Sequence, residues 1–328
     1  MKKVLKIVGY LLLVVAVALG GLLTYVKVAL PNVGAAEDLK IEYTPERIER
    51  GRYLATHVTV CMDCHSARDW TKFSGPLTEG TLGQGGETFD QSFGFPGKYI
   101  SRNITPHGIS RYTDGELFRV ITTGVNKEGD AMFPLMPYLY YGRMDTEDIY
   151  SIIAYVRSLS PIQKDWEKSS HDFLFNFIVN TIPQKGTPQK RPDKNDLVAY
   201  GAYMVNASGC IECHTQVEKG QIIKELAFSG GREFPLLGGG TIRSSNITPD
   251  KETGLGSWTE DMFVQRFKMY ADSTYVPEVV PSGEFNTWMP WTMYAGMERD
   301  DLAAIFAYLK SLPATKNLVV KYTPAKKS

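Results

Sequence analysis

Cys61-Met62-Asp63-Cys64-His65 and Cys210-Ile211-Glu212-Cys213-His214 are two copies of one pattern, set 149 positions apart. In a Cys-x-x-Cys-His run the two thiols can bond covalently to a porphyrin while the adjoining imidazole meets its iron, the attachment signature of c-type haem. A thioredoxin-like redox pair shares the thiol spacing but has no need of the following His. A zinc ribbon brings its two Cys-x-x-Cys knuckles to within roughly 15–20 residues of each other. The distance between the copies therefore argues against a shared zinc site, and the His that closes both copies argues for haem.

The motifs use all four cysteines of the chain, so no thiol is left for a disulfide or a nucleophile. With 36 basic and 36 acidic residues in a chain of 328, no charge excess suggests a nucleic-acid partner. The length allows two ordinary domains. Lys2, Lys3 and Lys6 precede a mainly apolar run from Ile7 to Val26, about the 20 residues needed to cross the hydrocarbon layer. The basic flank favours a cytoplasmic N-terminus and an exported remainder. Val33-Gly34-Ala35 offers a signal-cleavage site, but the run exceeds an ordinary signal core of about 7–15 residues, which favours an uncleaved anchor.

Outward from the motifs, the sequence repeats. Gly51 and Tyr53 match Gly201 and Tyr203, Phe73-Ser74-Gly75 matches Phe228-Ser229-Gly230, and Asn103-Ile104-Thr105-Pro106 returns as Asn246-Ile247-Thr248-Pro249. Thr44-Pro45-Glu46 reads as a helix start, with a helix expected to about His57. A closing helix is expected from Asp145, with an apolar stripe of Ile149, Ile152, Ile153, Val156 and Leu159 that recurs 153 positions later. The Asn103 stretch reads as turn chemistry. The glycine-rich run from Phe73 to Gly97 reads either as a surface loop or as backbone lying close to a flat ligand. Between the repeats, the apolar piece around Phe173 to Ile182 is expected to pack between two domains, with membrane contact or partner docking as the alternatives.

On these residues the sequence resembles a membrane-anchored dihaem cytochrome c with two class I cytochrome c domains in tandem. The resemblance implies an all-α fold: a transmembrane anchor over 1–30, domain 1 over 44–160, a linker over 161–195, domain 2 over 196–315 and a tail over 316–328. It implies two covalent haems c, held by Cys61, Cys64 and His65 and by Cys210, Cys213 and His214. The family places a distal methionine in the segment that here reads Phe133-Pro134-Leu135-Met136-Pro137-Tyr138. The 153-position offset carries Met136 to Met289 and Met144 to Met297. Met144, one turn before Ile149, reads as a hydrophobic staple, which leaves Met136 and Met289 as the expected second iron ligands.

The expected function is electron transfer. A periplasmic dehydrogenase or other donor would supply electrons to a terminal oxidase or soluble cytochrome, with the haem domains held in the periplasm by a single pass through the cytoplasmic membrane. The competing expectation is a dihaem peroxidase with one openable iron. It would need a further ligand or acid-base group from His57, His107 or His171, and His107 is the best placed of these.

Overall fold

The computed structural model describes residues 1–325; the last part of the expected tail, 326–328, lies outside the described residues. The N-terminal apolar run forms one helix, Lys2–Ala29, with none of its residues buried. It is long and apolar enough to cross a membrane.

Each repeat is framed by two crossing helices. Thr44 caps Pro45–Tyr53 by accepting the Arg47 amide at 3.2 Å, and the helix widens into a π turn over Leu54–Val58. This helix crosses Thr146–Ser158, and in the second repeat Leu197–Ala207 crosses Arg299–Ser311. Glycine sets both crossings: a Cβ on Gly51 would stand 1.8 Å from the Ser151 carbonyl oxygen, and one on Gly201 would stand 1.9 Å from that of Ala304. The closing stripes up to Val156 and Leu309, with Met144 and Met297, are sealed into a single apolar cluster that runs through both repeats, and Leu159 and Leu312 pack half-buried against it.

The all-α expectation is corrected. Eight short strands in three small antiparallel sheets accompany thirteen α-helices among the described residues. Thr88–Phe89, Gly97–Ile100 and Ser170–His171 form one sheet, and Glu233–Pro235, Thr241–Arg243 and Tyr322–Thr323 form another. The physical reason lies in the glycine-rich stretches. Their backbone amides and carbonyls need partners and take them from one another, in runs of two to four residues that are too short to show alternating polarity. The tail supplies the Tyr322–Thr323 strand.

A second correction concerns the linker. Its apolar piece lies on the first repeat, where the Phe175 ring is 5.5 Å from Phe133 beside the pairing of Ser170–His171 with Gly97–Ile100, while the linker's basic end reaches the second repeat through Lys194. The repeats meet directly through mirrored contacts. The Tyr53 hydroxyl donates to Asp301 (2.6 Å) and accepts the Glu298 amide (3.0 Å). The Tyr203 hydroxyl donates to Asp148 (2.7 Å) and accepts the Asp145 amide (3.1 Å).

Gly201→Ala should lower the unfolding free energy by about 3 kcal/mol through overpacking, against the gain of about 1 kcal/mol that alanine ordinarily brings to a helix. Denaturant titration checks this, and an unchanged midpoint would show that the crossing can open freely.

Candidate haem sites

Both motifs fold alike. Each Cys-x-x-Cys forms a single helical turn, Cys61–Cys64 or Cys210–Cys213, entered through a left-handed residue, Val60 at φ 45° and Gly209 at φ 62°. None of the four cysteines pairs in a disulfide, and desolvation pushes the pKa of each thiol up.

The imidazoles are aimed by the same device. His65 Nδ1 lies 2.6 Å from the Arg102 carbonyl oxygen, and His214 Nδ1 lies 2.7 Å from that of Ser245. Burial lowers the pKa of both rings, opposed by this bond to a carbonyl. A neutral ring that donates from Nδ1 keeps its lone pair on Nε2, the arrangement of a metal-ligating histidine. The carbonyls are themselves fixed one residue further on. Asn103 Oδ1 accepts from the Thr105 amide and hydroxyl (2.9 and 2.7 Å), and Asn246 Oδ1 does the same with Thr248 (2.9 and 2.8 Å), which bears out the turn reading.

A glycine closes each cradle. The Gly85 amide donates to the His65 carbonyl at 2.9 Å, and the Gly230 amide to the His214 carbonyl at 2.8 Å, both with φ near 73°. A Cβ on either would come within 2.5 Å of the backbone segment that carries the accepting carbonyl. These contacts correct the sequence register of the repeat. Gly83 bonds Ser66 Oγ as Phe228 bonds Thr215 Oγ1. The counterpart of Phe228-Ser229-Gly230 is thus Gly83-Gln84-Gly85, and Phe73-Ser74-Gly75 is freed for another role.

Met136 and Met289 are half-buried at the edge of the apolar cluster, unlike the sealed Met144 and Met297. Pro137 (φ −78°, ψ 53°) and Pro290 (φ −80°, ψ 66°) make inverse γ-turns, closed by Tyr138 N to Met136 O at 2.7 Å and Trp291 N to Met289 O at 2.8 Å. Each methionine thus precedes a fixed bend and a short helix, Tyr138–Tyr141 or Trp291–Tyr294. Two cysteines outside any disulfide, an imidazole bonded at Nδ1 with Nε2 unengaged, a glycine-floored wall and an unsealed thioether per repeat form a donor set that fits haem c.

The other histidines are engaged elsewhere. His57 Nδ1 meets the Met293 carbonyl at 2.8 Å, His107 Nε2 meets Asp165 at 3.1 Å and His171 Nδ1 meets the Tyr99 hydroxyl at 3.1 Å. Sequence reasoning missed the surroundings of Ser74. Its hydroxyl donates to the Met289 carbonyl at 2.6 Å and accepts the Trp291 amide at 3.0 Å, while its own amide donates to Asn286 Oδ1 at 2.9 Å. Arg68 ties this loop back to the first motif, donating to Asp63 (2.8 Å) and to the Ser74 and Gly75 carbonyls (2.7 and 2.8 Å). Burial pushes the Asp63 carboxyl up to about 6 despite the opposing Arg68.

A pair of covalent-attachment motifs on such cradles defines the class of c-type cytochromes, and the comparisons with known proteins agree. The chain is 30% identical over 295 residues to the cytochrome c subunit of alcohol dehydrogenase (quinone) from Gluconacetobacter polyoxogenes, covering 84% of this chain and 58% of that protein. It is 28% identical over 284 residues to the gluconate 2-dehydrogenase cytochrome c subunit of Pantoea cypripedii, covering 81% and 60% respectively. It is also 28% identical over 265 residues to a diheme cytochrome c-type protein of Cereibacter sphaeroides, covering 77% and 82%. The family resemblance is thus borne out, and the dehydrogenase-associated relatives are cytochrome subunits by name. The chain spans about 58–60% of the length of those two relatives. No protein-family model matches it.

Gly85→Ala and Gly230→Ala should each reduce covalent haem in their own repeat to a minor fraction. Haem staining and mass spectrometry of the two tryptic motif peptides check this, and full attachment in both variants would remove the cradle from the account.

Proposed function

We propose that the chain is an electron carrier with two covalent haems c, one in each of two domains, 44–160 and 196–315. Cys61 and Cys64 would tether the first, with His65 and Met136 supplying its iron ligands; Cys210 and Cys213 would tether the second, with His214 and Met289 supplying its iron ligands. The observation that carries this reading is the duplicated cradle, in which each motif histidine gives Nδ1 to a carbonyl and so presents Nε2. When bound, haem supplies a one-electron couple, and thioether ligation favours its ferrous form.

The protein's part would be to supply an imidazole and a thioether to each iron and so to exclude substrate from it. This would separate the carrier reading from a peroxidase. Electrons would arrive from a dehydrogenase of the kind named in the relatives and leave toward the respiratory chain through a terminal oxidase or soluble cytochrome. The helix Lys2–Ala29 would hold the chain in the cytoplasmic membrane by a single pass, with the haem domains in the periplasm.

The two methionine loops are not equally supported. Ser74, in the first domain, bonds both sides of the Met289-Pro290 bend, whereas Ser229, its match by sequence, bonds the Leu226 carbonyl within its own domain. Each such bond is worth about 1 kcal/mol. The second haem's distal loop is therefore held by the first domain.

Redox titration followed by optical spectroscopy tests the assignment. Met136→Ala and Met289→Ala should each remove about half of the near-red methionine–iron band and lower one midpoint potential. Ser74→Ala should weaken the band and lower the potential of the second haem alone. Unaltered spectra and potentials in both methionine variants would refute the ligand assignment, and peroxide turnover by the wild type would favour the enzyme instead.

A further inference from the structure

The linker carries an apolar face that the core does not use. Phe173, Leu174 and Ile178 are 79%, 72% and 52% exposed, whereas Val179 is buried. Phe175 turns the other way, with its ring 5.5 Å from Phe133. The segment is thus two-sided: one side packs on the first repeat and the other presents large apolar side chains outward.

Its position says what covers that side. Lys27, in the last turn of the helix Lys2–Ala29, bonds the Asn176 backbone oxygen at 2.9 Å and side-chain oxygen at 2.8 Å. The Lys27 ammonium also lies 5.3 Å from the Phe177 ring centre. A lysine at the end of a membrane span sits at the lipid–water boundary, where aromatic side chains collect. Residues that touch it are at the same depth.

From this juxtaposition we propose that segment 173–178 is a second membrane contact, inserting Phe173, Leu174 and Ile178 into the interfacial layer of the bilayer that Lys2–Ala29 spans. The inference rests on the reading of that helix as a membrane span. One span alone leaves the exported part free to swing, whereas a second contact beside it fixes which face meets the lipid. The face selected belongs to the first repeat: Phe175 packs on Phe133, which stacks on Tyr99 at 4.4 Å and lies three residues before Met136. The first haem is therefore the one whose distal loop is held next to the membrane surface. Short apolar and aromatic faces bind such surfaces by burying their side chains at the boundary between headgroups and acyl chains.

With the four native cysteines bonded to haem, one introduced cysteine is the sole free thiol. Phe173→Cys, Leu174→Cys, Val14→Cys and Val276→Cys would each be nitroxide-labelled in the full-length ferric protein. The labelled proteins would then be reconstituted in vesicles of phosphatidylethanolamine and phosphatidylglycerol. Electron paramagnetic resonance then compares collisions with oxygen, which enters lipid, and with a water-soluble nickel chelate. Labels at 173 and 174 should show an oxygen-to-nickel ratio several-fold above that at 276, approaching the ratio at 14. A lipid-like label at 14 with water-like labels at 173 and 174 would overturn this inference while leaving the membrane span intact. Labels at 173 and 174 shielded from both reagents would place protein on the face and overturn it equally. A water-like label at 14 would remove the span itself, and the inference with it.

Discussion

The bond between a half-buried imidazole and a backbone carbonyl is the constraint on which the candidate sites depend. His65 and His214 each follow a one-turn helix, and without a partner for Nδ1 either ring nitrogen could carry the proton. The carbonyls of Arg102 and Ser245 choose the tautomer. Much of the surrounding chain serves those two carbonyls. Asn103 and Asn246 fold the turns behind them, while Gly85 and Gly230 let the wall approach from the front. Desolvation lowers the pKa of both rings and so favours the neutral form, the one that can bind iron.

The second constraint is the junction between the repeats. Two tyrosines reach across in opposite directions, Tyr53 to Asp301 and Tyr203 to Asp148. Neither aspartate is left as an unpaired buried charge: Lys194 approaches Asp301 at 3.1 Å, and Arg50 and Arg191 approach Asp148 at 3.0 and 2.7 Å. Nearer the motifs, the Tyr140 hydroxyl donates to Glu212, which lies between the two cysteines of the second motif. On the proposed reading, the first domain therefore touches both sides of the second haem, through Tyr140 at its attachment turn and Ser74 at its distal loop. Such coupling makes the potential of one site depend on the packing of the other.

The sequence made one layer of this legible. The helix start at Thr44, the closing helix from Asp145 and the apolar stripes all rest on local rules, and each is found where those rules placed it. The staple reading of Met144 and Met297 also holds, since both are sealed in the core. The remainder depends on backbone geometry or distant partners. The accepting carbonyls of Arg102 and Ser245 have no side-chain signature, and Gly85 was hidden among many glycines. Phe73-Ser74-Gly75 shares three letters with Phe228-Ser229-Gly230, yet its hydrogen bonds make it a bridge to the other repeat. The strands were too short to betray an alternating pattern. The linker was misjudged because apolar composition alone does not say which surface a segment meets.

On the proposed reading, each chain holds two closed, methionine-ligated irons. Low-temperature magnetic circular dichroism of the ferric protein, quantified per covalent haem, tests it most directly. The account predicts two low-spin haems per chain, each with the near-red sulfur-to-iron band. A high-spin component at one haem, or a bis-histidine signature at either, would contradict it.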